Sequence, residues 1–528
     1  MRQIILLLSI FAISCGSVNQ KEESVAIIPQ PNNMDVVKGN LTLSGEVKLS
    51  VNSETLISLV ENFKTDVVEL IAFTDGNSKD AKIKIELTPG DDKDESYKLE
   101  TSKRGVIIRA GSEKGVFYGL QTLKQLLLFS NSETGKLVLP LLTIEDEPRF
   151  GWRGVMLDES RYFFGMEKVK QLLELMSLHK LNVFHWHLTD DPGWRIEIKK
   201  YPDLTTIGGL GHELEADAPA QFYTQREIKE IIDFAAERFI QVIPEIDMPG
   251  HARSSNRAYP EYSGGGSKSH PEFTFNPGKE ETYAYLTDIL REVTTLFPSK
   301  YIHMGGDEVH FGNEKWNTNA DVKRLMKREN LKDLKAVETY FVHRMADSIR
   351  MLGKTVMGWD EIVDHNLAAD NSVVMWWRHD RVYKLDAALK GGYDVVLCPR
   401  VPLYFDFNQD ESHQFGRKWR DTYSSLEGVY DFPPYSLLNL APNQKQIKGL
   451  QANIWTERIN DIKRLDYMTY PRLSALAEAC WTNKENKNYE DFKQRLKPML
   501  SYLDDLNIYY YNPFDPELTP EPVSMYKK

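Results

Sequence analysis

The chain has 528 residues, 41% hydrophobic and 27% charged, which is ample for one large globular unit and a smaller one. A formal net charge of −12, with no dense lysine or arginine block, excludes nucleic acid as the main partner. Its 3 cysteines include no CxxC pair, so neither a disulfide framework nor a cysteine metal site is encoded, and Cys398 and Cys480 read as inert core thiols.

At the N-terminus, Met1-Arg2-Gln3 precedes the apolar run Ile4 to Ile13, too short to span a bilayer and of signal-peptide length. Within it "FAISCGS" sets Cys15 behind a small residue, and this resembles a bacterial lipoprotein signal. The resemblance implies removal of residues 1–14, lipidation of Cys15 and export, with the lipid anchor as the sole membrane contact. Residues 15–24, a mostly polar stretch, then read as a flexible tether.

From 25 to 148 strand-like alternation dominates, as in "LTLSGEVKLSV", "AKIKIELT", "SYKLET" and "GVIIRA", with one amphipathic helix at "KGVFYGLQTLKQLLL". This predicts a small α+β domain. The charged, proline-bearing "EDEPRF" marks the junction to a second domain over 149–514, followed by a C-terminal tail at 515–528.

In the second domain apolar strands alternate with helices. "RGVMLDES" precedes a helix with Val169, Leu172, Leu173 and Met176 on one face; "LNVFHWHLT" precedes one with Ile228, Ile231, Ile232, Ala235 and Phe239. "IQVIPEIDM" precedes one with Tyr283, Leu286, Leu290, Val293 and Phe297, and "YIHMGGDEV" precedes the helix around "VETYFVHRMADSIRML". "KTVMGWDE", "SVVMWWR", "DVVLCPR" and "GLQANIWTE" complete a set of eight strands, which predicts a (β/α)8 TIM barrel. No helix is visible directly after Glu361 or Arg400, and the long segment 401–448, rich in Tyr, Phe, Pro and Asp, suits a site-building loop.

Polar residues recur at the C-terminal ends of these strands, the face where barrel enzymes work. Asp158 and Arg161 follow the first, Asp190 and Asp191 the second, and Glu245, Asp247 and His251 the third. Asp307 and Glu308 end the fourth, Trp359 the fifth and Trp377 the sixth; Tyr404 and Asp406 follow the seventh, and Trp455 and Glu457 end the eighth. Carboxylates accept hydrogen bonds from hydroxyls and indole faces pack against sugar rings, so a neutral carbohydrate is the natural ligand. Two other readings compete. "HWH" beside Asp190 offers metal ligands for a metal-dependent barrel hydrolase, and a sugar-binding barrel without catalysis would need only the pocket.

The motifs "RGVMLDESRYF", "LNVFHWHLTDDPGWR", "PEIDMPGH", "GGDEV", "GWDE" and "IWTE", in this order, resemble the family 20 glycoside hydrolases, the β-N-acetylhexosaminidases. The resemblance implies an exo-acting, retaining enzyme on a glycan or chitooligosaccharide, which removes terminal N-acetylglucosamine or N-acetylgalactosamine. The substrate's own acetamide acts as nucleophile through an oxazolinium ion, and neither metal nor cofactor is implied. It makes Glu308 the general acid and base and Asp307 the partner of the acetamide N–H. Arg161 would grip sugar hydroxyls, Asp190 and His251 support the acid, and Trp359, Trp377 and Trp455 wall the acetamido methyl. Tyr404 would bond the acetamide oxygen, paired with Asp406, and Glu457 would bind outer hydroxyls. Burial beside a second carboxylate should raise the acid's pKa, and Gly305 and Gly306 should leave room for the sugar. Pro192 and Met375 stand where many bacterial members carry Gln.

Overall fold

The computed structural model describes residues 25–525 apart from 92, 93 and 134, so Cys15 and the signal-like segment lie outside the described residues. No helix among the described residues is long and apolar enough to cross a membrane.

The first domain is a sheet whose strands lie in the order Asn33–Ser44, Lys136–Asp146, Tyr97–Ser102, Gly105–Ala110, Ile83–Leu87, Glu46–Val51, Ala72–Asp75. Two helices accompany it. Ile57–Asp66 was not visible in the strand-like alternation around it; its signal is the short series Leu56, Val60, Phe63 and Val67, all buried. Glu113–Leu128 follows Ser112, whose hydroxyl caps Gly115 N–H at 3.0 Å. Every residue from Gly115 to Leu127 is buried, because the helix lies between its own sheet and the barrel helix Met166–Leu178. Gly119 permits that approach, since a Cβ there would stand 2.6 Å from Ile108 Cγ2.

The second domain is a closed parallel barrel, as the sequence predicts. Its strands are β1 (Trp152–Asp158), β2 (Val183–His187), β3 (Gln241–Glu245), β4 (Tyr301–His303), β5 (Thr355–Trp359), β6 (Ser372–Trp376), β7 (Asp394–Leu397) and β8 (Ile447–Ile454), with β8 pairing back to β1. Helices Met166–Leu178, Gln225–Ala236, Glu280–Leu296 and Leu334–Met351 follow the first four strands, with the predicted apolar faces inward. Phe239 is the exception. The helix stops at Ala236, and Phe239, at φ 54°, turns instead to the first domain, 5.1 Å from the Phe117 ring. After β5 the chain makes only the 3-10 turns Asp360–His365 and Ala369–Asn371, which explains why no helical period follows Glu361. After β7 come the short helical segments Arg400–Leu403, Leu426–Asp431 and Tyr435–Leu438. The stretch beyond 515 is fastened down: Glu521 accepts from Gln414 N at 2.6 Å and from Phe415 N at 3.1 Å, and it pairs with Arg464 at 3.3 Å.

A buried cluster joins the two domains. Trp481, from the last barrel helices, sits in the first domain's core, and its Nε1 donates to Asp146 at 3.0 Å. Lys180 Nζ reaches Tyr97 OH at 2.8 Å and Asp146 Oδ2 at 3.2 Å; burial pulls its pKa down to about 8 against the pull of Asp146.

Candidate active site

Parallel pairing places Asp158 beside His187, His187 beside Glu245, and Glu245 beside His303. Side chains alternate inward and outward along a barrel strand, so these form one polar layer near the C-terminal mouth. Glu245 is its centre. It is fully buried, is hydrogen-bonded to His187 Nδ1 at 2.7 Å and Trp359 Nε1 at 2.9 Å, and lies 2.8 Å from His303 Nδ1 and 3.0 Å from His185 Nε2. Burial would raise its pKa, but the surrounding imidazoles outweigh burial and hold the carboxyl well below its usual value. The Trp359 ring is thereby fixed in orientation.

The loop after β1 is built around two carboxylates. Asp158 accepts from the N–H groups of Ser160 at 2.9 Å, Arg161 at 3.2 Å and Thr456 at 3.1 Å. Glu159 points the other way, to Trp186 Nε1 at 2.7 Å, Tyr223 OH at 2.8 Å and the Phe164 and Gly165 amides at 3.0 and 3.1 Å; burial pushes it up to about 7. Arg161, presented between them, lies 2.7 Å from Asp190 Oδ2 and 5.1 Å above the Trp455 ring. Its carbonyl accepts from Glu213 N at 3.0 Å, and burial pushes the Glu213 carboxyl up to about 7.

Asp190 connects this side to the carboxylate pair. Its Oδ2 meets His187 Nε2 at 2.9 Å and its Oδ1 meets His251 Nδ1 at 3.0 Å. The far nitrogen of His251 stands 3.8 Å from Asp307 Oδ2 and 3.8 Å from Glu308 Oε2. Burial opposes charge on His251, but Asp190 and Asp307 together hold its pKa well above the usual value.

Neighbouring residues of a strand point to opposite faces, yet Asp307 and Glu308 both face His251. The backbone explains this. β4 ends at His303, and Gly305, Gly306 and Glu308 then take φ of 69°, 90° and 52°, so the chain coils instead of extending. The expectation that the glycines clear space for a sugar is corrected at Gly305: a Cβ there would lie 1.8 Å from Asp247 Oδ1, so a buried carboxylate fills that space. Asp307 is largely buried, and its Oδ1 has no hydrogen-bond partner in the protein. Burial, with help from Glu308 and Glu245 and against His251, pushes its pKa up to about 7. Glu308 is more open, with 32% of its side chain exposed.

Beyond the pair, Trp359 and Trp455 lie 5.7 Å apart, Trp455 and Tyr404 6.1 Å, and Tyr404 and Trp377 stack 6.3 Å apart at 9°. These rings form a continuous wall. Trp377 Nε1 is held by Glu361 at 3.0 Å, while its neighbour Trp376 packs outside the barrel with the helices. Asp406 and Glu457 share Arg417, whose Nε is 3.0 Å from Asp406 Oδ2 and whose Nη2 pairs with Glu457 Oε1. Burial, against Arg417 and with Glu457, pushes Asp406 up to about 7. Arg417, Glu361, Glu159 and Glu213 were not singled out as site residues from the sequence; Glu361 at least lies inside the motif "GWDE".

The histidine pair of "HWH" is directed at carboxylates inside the barrel, His185 Nε2 standing 3.0 Å from Glu245. His187 Nδ1 lies 2.7 Å from Glu245 and its Nε2 2.9 Å from Asp190, and these carboxylates, against burial, hold its pKa well above normal. Cys398 and Cys480 are buried, and burial pushes Cys480 up to about 12.

Comparison with known proteins agrees with this geometry. The family model for the catalytic domain of glycosyl hydrolase family 20 matches residues 150–484, and that for domain 2 of the same family matches 24–147. A β-hexosaminidase of Porphyromonas gingivalis is 37% identical over 79% of this chain, which spans 54% of that relative's length. One from Vibrio furnissii is 34% identical, over 86% of this chain and 76% of the relative. Among solved structures, an exo-β-N-acetylglucosaminidase from Vibrio harveyi in complex with N-acetylglucosamine has a TM-score of 0.85 at 33% identity, covering 93% of this chain and 79% of that one. A β-N-acetylhexosaminidase from Bacteroides fragilis has a TM-score of 0.78 at 29% identity, covering 92% and 96%. With both domains matched in order on the barrel just described, the chain belongs to glycosyl hydrolase family 20.

Proposed function

We propose that the protein is an exo-acting, retaining β-N-acetylhexosaminidase that removes terminal N-acetylglucosamine or N-acetylgalactosamine from glycans or chitooligosaccharides. The observation that carries this is the pair Asp307 and Glu308, both turned to His251 at 3.8 Å beside a wall of three tryptophans and Tyr404. A protein nucleophile would have to sit across the scissile bond from the acid. Here the second carboxylate sits beside the acid, which suits a nucleophile carried by the sugar.

In the first step Glu308 gives its proton to the glycosidic oxygen, the C1–O bond breaks, and the acetamide oxygen bonds to C1 from the opposite face. Asp307, with a buried and unpartnered Oδ1, accepts the acetamide N–H and balances the positive charge of the resulting oxazolinium. Tyr404 donates to the acetamide oxygen, and the tryptophans hold the methyl. In the second step Glu308 takes a proton from water, whose oxygen bonds to C1 as the acetamide leaves, and two inversions give retention. Arg161, Asp406 and Glu457 bind the sugar hydroxyls, and Asp190 supports the acid through His251.

Substrates whose acetamido methyl carries one, two or three fluorines test this reading, because each fluorine weakens the attacking oxygen. Single-turnover rates at saturation should fall steeply and monotonically along the series. A flat chemical rate with binding intact would require a protein nucleophile and overturn the role given to Asp307.

A further inference from the structure

Just beyond Glu308 the chain makes one 3-10 turn, Val309–Phe311, closed by Phe311 N–H donating to the Glu308 carbonyl at 2.9 Å. The turn ties Phe311 to the acid's own backbone. Phe311 is 42% exposed, although burying so large an apolar ring would stabilise the fold. One face of its ring is already backed: it stacks on His270 with centroids 5.6 Å apart and planes at 17°. His270 meets the edge of Phe273 at 5.5 Å, and buried Phe273 meets His251 at 4.7 Å. Rings in contact therefore run from an exposed aromatic at the rim to the histidine that faces both carboxylates.

The arrangement is fixed from both sides. Ser267 Oγ donates to the Phe311 carbonyl at 2.7 Å, and Phe273 O accepts from Ala252 N at 2.9 Å. Gly312 lets the turn close on this wall, since a Cβ there would stand 2.3 Å from Phe273. The tryptophan wall of Trp359, Trp377 and Trp455 belongs to β5, β6 and β8, whereas this second wall is carried by the segments that follow β3 and β4.

We infer that Phe311 and His270 form a stacking platform for the sugar on the leaving-group side of the scissile bond. This rests on the hydrolase reading above, in which Glu308 touches the glycosidic oxygen. The leaving sugar then lies on the acid's side of the site, within reach of an apolar ring held by the acid's own turn, and pyranose faces pack on such rings. The platform would favour oligosaccharides over glycosides with small leaving groups.

The test compares N,N′-diacetylchitobiose with N-acetyl-β-glucosaminyl fluoride, whose single-atom leaving group cannot reach the platform. In Phe311→Ala the ratio of kcat/KM for the disaccharide to that for the fluoride should fall about tenfold, and in His270→Ala several-fold. Phe311→Tyr, which keeps a stacking ring, should restore the ratio. An unchanged ratio, or equal losses on both substrates from a disturbed Glu308, would overturn the platform while leaving the hydrolase reading standing. A wild-type protein inert toward both substrates would overturn that reading and the platform with it.

Discussion

Asp307 holds its proton more tightly in the folded protein than it would in an open chain, with a pKa of about 7 against a reference of 3.8. As pH rises from about 4 to 7, the unfolded chain releases this proton first, so folding becomes progressively less favourable and the cost is complete above pH 7. Asp307→Asn removes the titration. The variant should match the wild type in thermal stability near pH 4 and exceed it by a margin that opens toward pH 8, as calorimetry across that range would show. A constant margin, or one that closes with pH, would contradict the raised pKa. The same cost has a catalytic counterpart: a carboxylate that is poorly solvated and lacks a partner at Oδ1 gains most when a cationic acetamide arrives. That Asp307 and Glu308 face the same way was not legible in the sequence, because it depends on the backbone turn at Gly305 and Gly306, and a one-dimensional reading assumes a straight strand end.

Elements that read clearly in the sequence share one property: their pattern is local. Each barrel strand is a short apolar run, and each of the four long helices after β1 to β4 shows its apolar face at i, i+3, i+4 spacing. Where an element departs from its pattern, as in the 3-10 turns Asp360–His365 after β5, the period is absent and the sequence falls silent. Site residues at strand ends were legible for the same reason, because strand alternation and motif order locate them. Their supports were not. Glu159 finds Tyr223 64 positions away and Arg417 finds Glu457 40 positions away, pairings set only by how loops cross the barrel mouth. Arg417 belongs to the long segment between β7 and β8, and it fastens that segment to two of the proposed hydroxyl-binding carboxylates. Arg417→Ala removes the cation that pairs with both Asp406 and Glu457, a loss softened by water because the Arg417 side chain is 42% exposed. Steady-state kinetics should therefore show KM raised at least tenfold with a smaller change in kcat; a loss confined to kcat would place Arg417 in the chemistry instead.

At the scale of the whole molecule, the boundary near residue 148 separates two folds without separating two cores. Trp481 of the barrel fills the first domain, Asp146 of the first domain holds Trp481 and Lys180, and Arg153 of β1 reaches Glu95 at 2.8 Å and Tyr118 OH at 2.8 Å. Gln125, in the last turn of Glu113–Leu128, bonds the carbonyls of Ile28 at 2.7 Å and Leu178 at 2.8 Å, so one side chain stitches three segments. That helix has no free face, and this sets how the protein exchanges its amide hydrogens with solvent. Amides in an ordinary surface helix exchange by local fraying, but those of Gly115 to Leu127 are covered by the sheet on one side and the barrel on the other. Deuterium should enter them only when the two domains come apart. They should rank among the slowest amides in the chain, exchange together, and report the free energy of parting the domains, a quantity that no assay at the distant barrel mouth would register.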